Sequence, residues 1–126
     1  MSRTKPQNIV IIGGSLKGLF IGVALKRLRQ NLKIQILERN KSSLLQDQGA
    51  GLVANSDVLH FFRKYDHTRT PLTVTSHRRQ YLNKEGEIID QEDREQQMTS
   101  WDLLYHLLRA NCDGVRSEYA EMPKPE

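Results

Sequence analysis

The stretch Ile9-Val10-Ile11-Ile12-Gly13-Gly14-Ser15-Leu16-Lys17-Gly18-Leu19 decides the fold of this chain. Its β-branched run is typical of a parallel strand buried on both faces, and it breaks at a glycine pair before an amphipathic helical pattern over residues 16–30. A second apolar run, Lys33–Leu37, follows the helix and ends at Glu38. Because a strand, a crossover helix and a second parallel strand form a βαβ unit, the sequence predicts an α/β, Rossmann-like fold.

The glycine turn before the helix is typical of phosphate binding. Bare N–H groups at a helix N-terminus, together with the helix dipole, favour a negatively charged group. We expect Gly13 to make the tight turn out of the strand and Gly18 to let helix and strand pack closely. Ser15 stands where the usual pattern has its central glycine, and its hydroxyl is able to donate to a phosphate.

Glu38 follows Gly18 by twenty residues, a spacing at which an acid in this fold accepts hydrogen bonds from an adenosine ribose. An acid there repels a 2′-phosphate, so the pattern indicates a dinucleotide other than NADP. The alternative is an α/β protein whose glycine turn serves packing alone, with Glu38 as an exposed charge at a strand end.

The rest of the chain predicts one more helix, a β-hairpin and a last helix. Turn residues separate the two strands, and cap residues precede both helices. The predicted elements are a glycine-flanked loop over 48–53, a helix from Asn55 or Ser56 to about Lys64, strands over 72–80 and 81–92 with a turn at 83–86, and a helix over Trp101–Ala110 capped by Thr99 or Ser100.

The composition of the 126 residues excludes several classes of protein and allows one domain at most. The net charge is +4, and the basic residues are mixed with acids rather than clustered, which argues against nucleic-acid binding. No apolar run approaches the length of a membrane span or of a signal-peptide core. The single cysteine, Cys112, permits no internal disulfide, so we expect a cytoplasmic protein.

We identify no candidate catalytic acid, base or nucleophile in the sequence, and no candidate metal site. The four histidines have no metal-ligand spacing to one another or to Cys112. They are His60, His67, His77 and His106.

Four motifs in register resemble the N-terminal part of the class A FAD-dependent aromatic hydroxylases. The similarity is to the 2,6-dihydroxypyridine hydroxylase-like branch and its fungal relatives, and it runs from about Asn8 to Tyr119. The motifs are the glycine turn through Leu19, Leu37-Glu38-Arg39, Gly49-Ala50-Gly51-Leu52 and Thr99-Ser100-Trp101-Asp102-Leu103-Leu104.

This resemblance implies that the chain binds FAD. Members of the family reduce FAD with NADH or NADPH and hydroxylate an aromatic ring with O2, so a small aromatic substrate is implied as well. The site residues carried over are Gly13, Gly14, Ser15, Leu16 and Gly18 at the pyrophosphate, Glu38 at the adenosine ribose, Arg39 near the adenine, and Gly49, Ala50 and Gly51 towards the isoalloxazine.

Members of the family are several times longer than this chain, so the resemblance implies a truncated FAD-binding portion that is not catalytically competent alone. The implied organisation is a flexible N-terminus over 1–7, a partial FAD-binding domain over 8–112 and a polar tail over 113–126. We then expect the apolar face of the last helix to be partly exposed, which favours self-association.

Two other hypotheses remain. One is a non-catalytic remnant or interaction module that keeps the fold. The other is the NAD-binding domain of a dehydrogenase, which leaves the Gly49–Gly51 loop unexplained.

Overall fold

A computed structural model of the chain describes residues 7–45 and 48–120. The predicted segment 1–7, apart from Gln7, and the last residues of the predicted tail, 121–126, lie outside this part of the chain. The described residues form a parallel and an antiparallel sheet with three helices, which confirms the predicted α/β class. In chain order the elements are β1 (Asn8–Ile12), α1 (Leu16–Leu28), β2 (Lys33–Leu37), β3 (Gly51–Val53), α2 (Ser56–Tyr65), β4 (Val74–Leu82), β5 (Ile88–Ser100) and α3 (Trp101–Asp113).

The β1-α1-β2 unit is the predicted βαβ crossover. The two strands pair in parallel from Asn8 opposite Lys33 to Ile12 opposite Leu37. The helix ends two residues earlier than predicted, because Arg29 adopts an extended conformation and caps it through an N–H bond to the Leu25 carbonyl. Both strands have the predicted bounds.

The prediction that β1 is buried on both faces is wrong for the described structure. Its side facing α1 is half-buried, with Ile11 close to Gly18 and Gly22 of the helix. On the other side Val10 is 56% exposed and Ile12 is 78% exposed. An apolar β-branched run shows what a strand is able to bury, but not how many layers cover it.

The antiparallel sheet has the strand order β3-β5-β4 and differs from the predicted hairpin in its bounds. Tyr81 belongs to the first strand, and the turn lies at Asn83, whose side chain accepts hydrogen bonds from two backbone N–H groups of the turn. The second strand continues to Ser100 and pairs there with Gly51, so part of the predicted glycine loop is strand β3. Most residues of β4 and β5 are exposed on both faces of the sheet. The sequence therefore has no alternation of apolar and polar residues that would indicate the bounds of these strands.

Helix α3 lies at the centre of the hydrophobic core, where it packs against α1. Leu107 and Leu108 are completely buried, whereas Trp101 and Leu103 are only partly buried, so the partial exposure expected for the apolar face of this helix is confined to its first turn. The helix also continues beyond Ala110 to Asp113, and Gly114 ends it in the left-handed conformation. The rest of the buried core consists of three more residues of α3 and five from other parts of the chain, namely Leu104, Tyr105 and Ala110, and Leu19, Val23, Leu45, Phe62 and Ala120.

Candidate functional site

The turn between β1 and α1 has the geometry that its glycines predicted. Gly13 has a φ of +103°, a conformation that L side chains rarely adopt, and its N–H donates to the Leu37 carbonyl at 2.7 Å. A Cβ atom at Gly18 would overlap the carbonyl oxygen of Gly13. The first glycine is therefore required by the turn, and Gly18 by the close contact between the turn and the helix.

The first turn of α1 is open to an anion, and the Glu38 carboxylate binds the N–H of Gly14 just before it. Ser15 is the exposed N-cap residue, and its side chain makes no capping hydrogen bond. No acidic residue lies in the first turn of the helix. Because the first N–H groups of a helix have no partner within the helix, this end is suited to a phosphate.

The Glu38 carboxylate lies directly beside this turn. Its Oε2 accepts a hydrogen bond from the Gly14 N–H at 2.8 Å, and its Oε1 accepts one from the Asn40 N–H at 2.9 Å. These two bonds, first that from Asn40 and then that from Gly14, lower the pKa of Glu38 below its usual value, and the charge of the exposed Arg39 lowers it further. A carboxylate offers about four acceptor positions, so about two remain for outside donors.

Acid titration is expected to show the anchoring of Glu38. A carboxyl whose pKa is lowered in the folded state contributes stability above its usual value of 4.5, and this contribution is lost as the pH falls through the folded-state pKa. We therefore expect the free energy of unfolding of Glu38→Gln to fall less steeply than that of the wild type as the pH drops below 4.5. Urea midpoints measured from about pH 6 to about pH 3 test this. Glu85→Gln, in the exposed hairpin turn, is the control, and parallel curves for the wild type and Glu38→Gln would contradict the expectation.

A cavity of about 470 Å³ adjoins the turn and Glu38. It runs between α1, β2 and α3, so its wall is apolar along the strand and polar along the last turns of α3. Gly14 and Glu38 are part of its lining. Ser42, Ser43, Tyr105 and Arg109 also line it.

The second predicted set, Gly49, Ala50 and Gly51, lies at the start of α3. The carbonyl of Ala50 accepts a hydrogen bond from the Trp101 N–H at 2.9 Å. A Cβ on Gly49 would lie 3.2 Å from Asp102 Oδ2, whereas one on Gly51 would meet no atom within 4 Å. These residues therefore belong to the antiparallel sheet and to the N-terminus of α3, and not to the turn that carries Gly13. The remaining predicted residue, Leu16, begins α1 and packs against the core.

Sequence reasoning missed Tyr105 and Arg109, which line the cavity with Glu38. The available signal was their helical spacing, because Tyr105, Arg109 and Asp113 recur every four residues on one face of α3. That spacing is common in exposed helices, and only the folded chain brings this face close to the segment that follows Glu38.

Two further properties concern the described part of the chain as a whole. In residues 7–45 and 48–120 no group of three or more His, Cys, Asp or Glu side chains is placed to hold a metal ion. None of the helices found there combines the length and the apolar character needed to cross a membrane.

The solved structures that are similar to this chain include two pyridine-ring oxygenases. One is a 2,6-dihydroxypyridine-3-hydroxylase from Arthrobacter nicotinovorans, with a TM-score of 0.65 and 23% sequence identity over 84% of this chain and 26% of the enzyme. The other is a 2-methyl-3-hydroxypyridine-5-carboxylic acid oxygenase, with a TM-score of 0.55 and 16% identity over 86% of this chain and 29% of the enzyme. No protein-family model matches the chain, and no curated protein matches its sequence.

The chain therefore spans less than a third of the length of either enzyme. At this level of identity the similarity concerns the fold and not the reaction. The resemblance indicated by the four motifs is confirmed at that level: the chain has the α/β fold of one part of an aromatic-ring hydroxylase.

Proposed function

We propose that this chain binds FAD through its ADP half, as the FAD-binding portion of a flavin-dependent monooxygenase. The observation that carries the proposal is the uncapped N-terminus of α1 directly beside a carboxylate that is hydrogen-bonded to Gly14. The N–H groups of the helix suit a pyrophosphate, and the remaining acceptor positions of Glu38 suit the two hydroxyls of a ribose. The similarity of the fold to two pyridine-ring oxygenases supports FAD over other dinucleotides.

The residues of this chain would bind and orient the cofactor. Gly13, Gly14, Ser15 and Gly18 hold the pyrophosphate end, and Leu16 anchors that end of α1 in the core. Glu38 holds the ribose, with Arg39 towards the adenine. Gly49, Ala50 and Gly51 lie towards the isoalloxazine, and the open space at Gly51 supports this placement.

Bound FAD supplies the redox chemistry of ring hydroxylation, with NADH or NADPH as electron donor and a small aromatic molecule as substrate. We place the protein in the cytoplasm, and we propose that this chain does not complete the reaction by itself. The exposed apolar side chains of the parallel sheet, Val10, Ile12 and Leu37, support self-association of the isolated chain.

A pair of substitutions at Ser15 separates cofactor binding from folding. Ser15→Glu places a negative charge at the N-terminus of α1, where the helix dipole stabilises it and the nearby Glu38 carboxylate repels it, so we expect the unfolding temperature to change little. The same charge repels a pyrophosphate. Two like charges about 5 Å apart repel by about 3 kcal/mol at an effective dielectric constant of about 20, so FAD binding should weaken by about a hundredfold. Ser15→Gln is the uncharged control.

The measurement is a titration of the purified chain with FAD, followed by flavin fluorescence, with NAD as competitor. Saturable binding that Ser15→Glu weakens and Ser15→Gln largely keeps supports the proposal. Equal affinity of both variants would place FAD elsewhere on the chain. An absence of binding to the folded wild type contradicts the proposal, and tighter binding of NAD than of FAD would favour a dehydrogenase domain.

A further inference from the structure

We infer that Arg109 and Tyr105 are positioning residues, which hold the segment 39–45 so that the Glu38 carboxylate faces the ribose of a bound dinucleotide. The ligand in this inference rests on the proposed function. A series of hydrogen bonds begins at Glu38, crosses the cavity beside the glycine turn and ends on α3.

The first part of this chain of bonds lies within the segment. Glu38 Oε1 accepts a hydrogen bond from the Asn40 N–H at 2.9 Å, and Asn40 Oδ1 accepts one from the Ser42 N–H at 3.0 Å. Both bonds are exposed and join residues only two apart, so they give the segment a turn but do not attach it to the rest of the fold. The Gly14 N–H holds Glu38 Oε2 independently at 2.8 Å, so the segment supplies the second anchor, at Oε1. An exposed turn keeps that anchor in place only if its far end is fixed.

The far end is fixed by α3. Arg109 Nη1 donates to the Ser43 carbonyl at 2.7 Å, and the Tyr105 hydroxyl accepts a hydrogen bond from the Leu45 N–H at 3.1 Å. Arg109 Nη1 also donates to the Tyr105 hydroxyl at 2.8 Å, so the two side chains act together. Both side chains bind backbone groups of the segment, so these contacts do not depend on the side chains that the segment carries.

Both positioning residues are themselves held in place. Asp113 accepts hydrogen bonds from Arg109 Nε and Nη2, a two-point pairing that fixes the orientation of the guanidinium. The Tyr105 ring is buried and stacks on Trp101 with 5.1 Å between the ring centroids. A preorganised pair of this kind restricts the segment without having to be ordered when a ligand binds.

Substitution of Arg109 or Tyr105 is expected to weaken one part of nucleotide binding and to leave the other part intact. Loss of the contacts to Ser43 and Leu45 frees the segment and with it the Asn40 N–H that holds Glu38. The Gly13 turn and the N-terminus of α1 keep their own contacts, which lie in β1, α1 and β2. Contacts to the ribose should therefore weaken while contacts to the pyrophosphate remain. A general loss of folding would instead weaken both to the same degree.

The experiment compares ADP with 2′-deoxy-ADP as ligands of the full 126-residue chain. A hydrogen bond to a charged group makes the wild type prefer ADP by about tenfold. In Arg109→Gln this preference should fall towards onefold, while 2′-deoxy-ADP binds within about twofold of the wild type. Arg78→Gln removes an arginine–carboxylate pair from the distant β4–β5 hairpin and is the matched control, which should keep the preference.

Tyr105→Phe is the second variant, because it removes one hydroxyl and leaves the buried ring in place. The pKa of Glu38 in the ligand-free chain, followed by NMR, is the second readout, and it should rise in both variants as the Asn40 bond loosens. An unchanged ADP preference in both variants overturns the inference. If the wild type binds neither nucleotide, the proposed function fails, and the pKa of Glu38 then decides the positioning role alone: a rise supports it and an unchanged value overturns it.

Discussion

Replacing Gly18 by alanine is expected to lower the free energy of unfolding by about 3 kcal/mol, at the upper end of the cost of overpacking a folded core. The added Cβ would overlap the carbonyl oxygen of Gly13 and approach Ile11 Cγ2. The carbonyl belongs to the backbone of a turn that is bonded to Leu37, so it cannot move aside as the end of a side chain does. Helix propensity alone would favour alanine by about 1 kcal/mol, so the sign of the change tests the contact.

The matched control is Gly22→Ala, one turn further along the same helix. A Cβ there would meet Ile36 Cδ1 at 3.0 Å and Cys112 Sγ at 3.4 Å, and both are ends of side chains that are able to shift. We expect a change within about 1 kcal/mol for this variant, because crowding and helix propensity oppose each other. Urea unfolding of both variants gives the comparison. A Gly18→Ala variant as stable as the wild type would show that the turn is not packed as described.

The success of prediction differed between the two sheets for a physical reason. The β1-α1-β2 unit is recognisable locally, because an apolar run, a glycine turn and a helical pattern follow one another without interruption. Strand β5 carries charged residues such as Asp93 and Arg94 along an exposed hairpin, so its sequence has neither the alternation nor the apolar content of a half-buried strand. Beyond the predicted end it pairs with β4 as far as Met98, and its last residues, Met98–Ser100, pair with β3, which is distant in sequence.

The residues of the candidate site likewise fall into two groups, those predicted from local spacing and those that only the folded chain brings together. Gly13, Gly18 and Glu38 were predicted from spacing, because the turn and the strand end that carry them belong to one βαβ unit. Arg109 and its contact with Ser43 join residues sixty-six positions apart, so no local pattern indicates it. The exposed side of β1 was likewise beyond prediction, because the number of layers covering a strand depends on the whole fold.

Asn111 is the second position at which a single substitution is expected to be severe. It is 2% exposed, and its amide makes four hydrogen bonds, which is the full capacity of an asparagine side chain. Its Oδ1 accepts from Arg27 Nη2 at 3.0 Å and from the His67 N–H at 2.8 Å. Its Nδ2 donates to Asp66 Oδ1 at 2.7 Å and to the Leu107 carbonyl at 2.8 Å. One side chain therefore connects three parts of the fold: helix α1, helix α3, and the residues that follow α2.

Asn111→Leu keeps the approximate volume of the side chain and removes all four bonds. Arg27 and Asp66 retain other partners, the Tyr65 carbonyl and Thr68, but the His67 N–H loses the partner it has in the wild type. Leaving one or two part-buried polar groups unpaired should lower the free energy of unfolding by about 3 kcal/mol. Urea unfolding tests this, with Asn31→Leu in the exposed turn between α1 and β2 as the control. A loss of less than about 1 kcal/mol would contradict the expectation, because it would mean that water replaces the lost bonds.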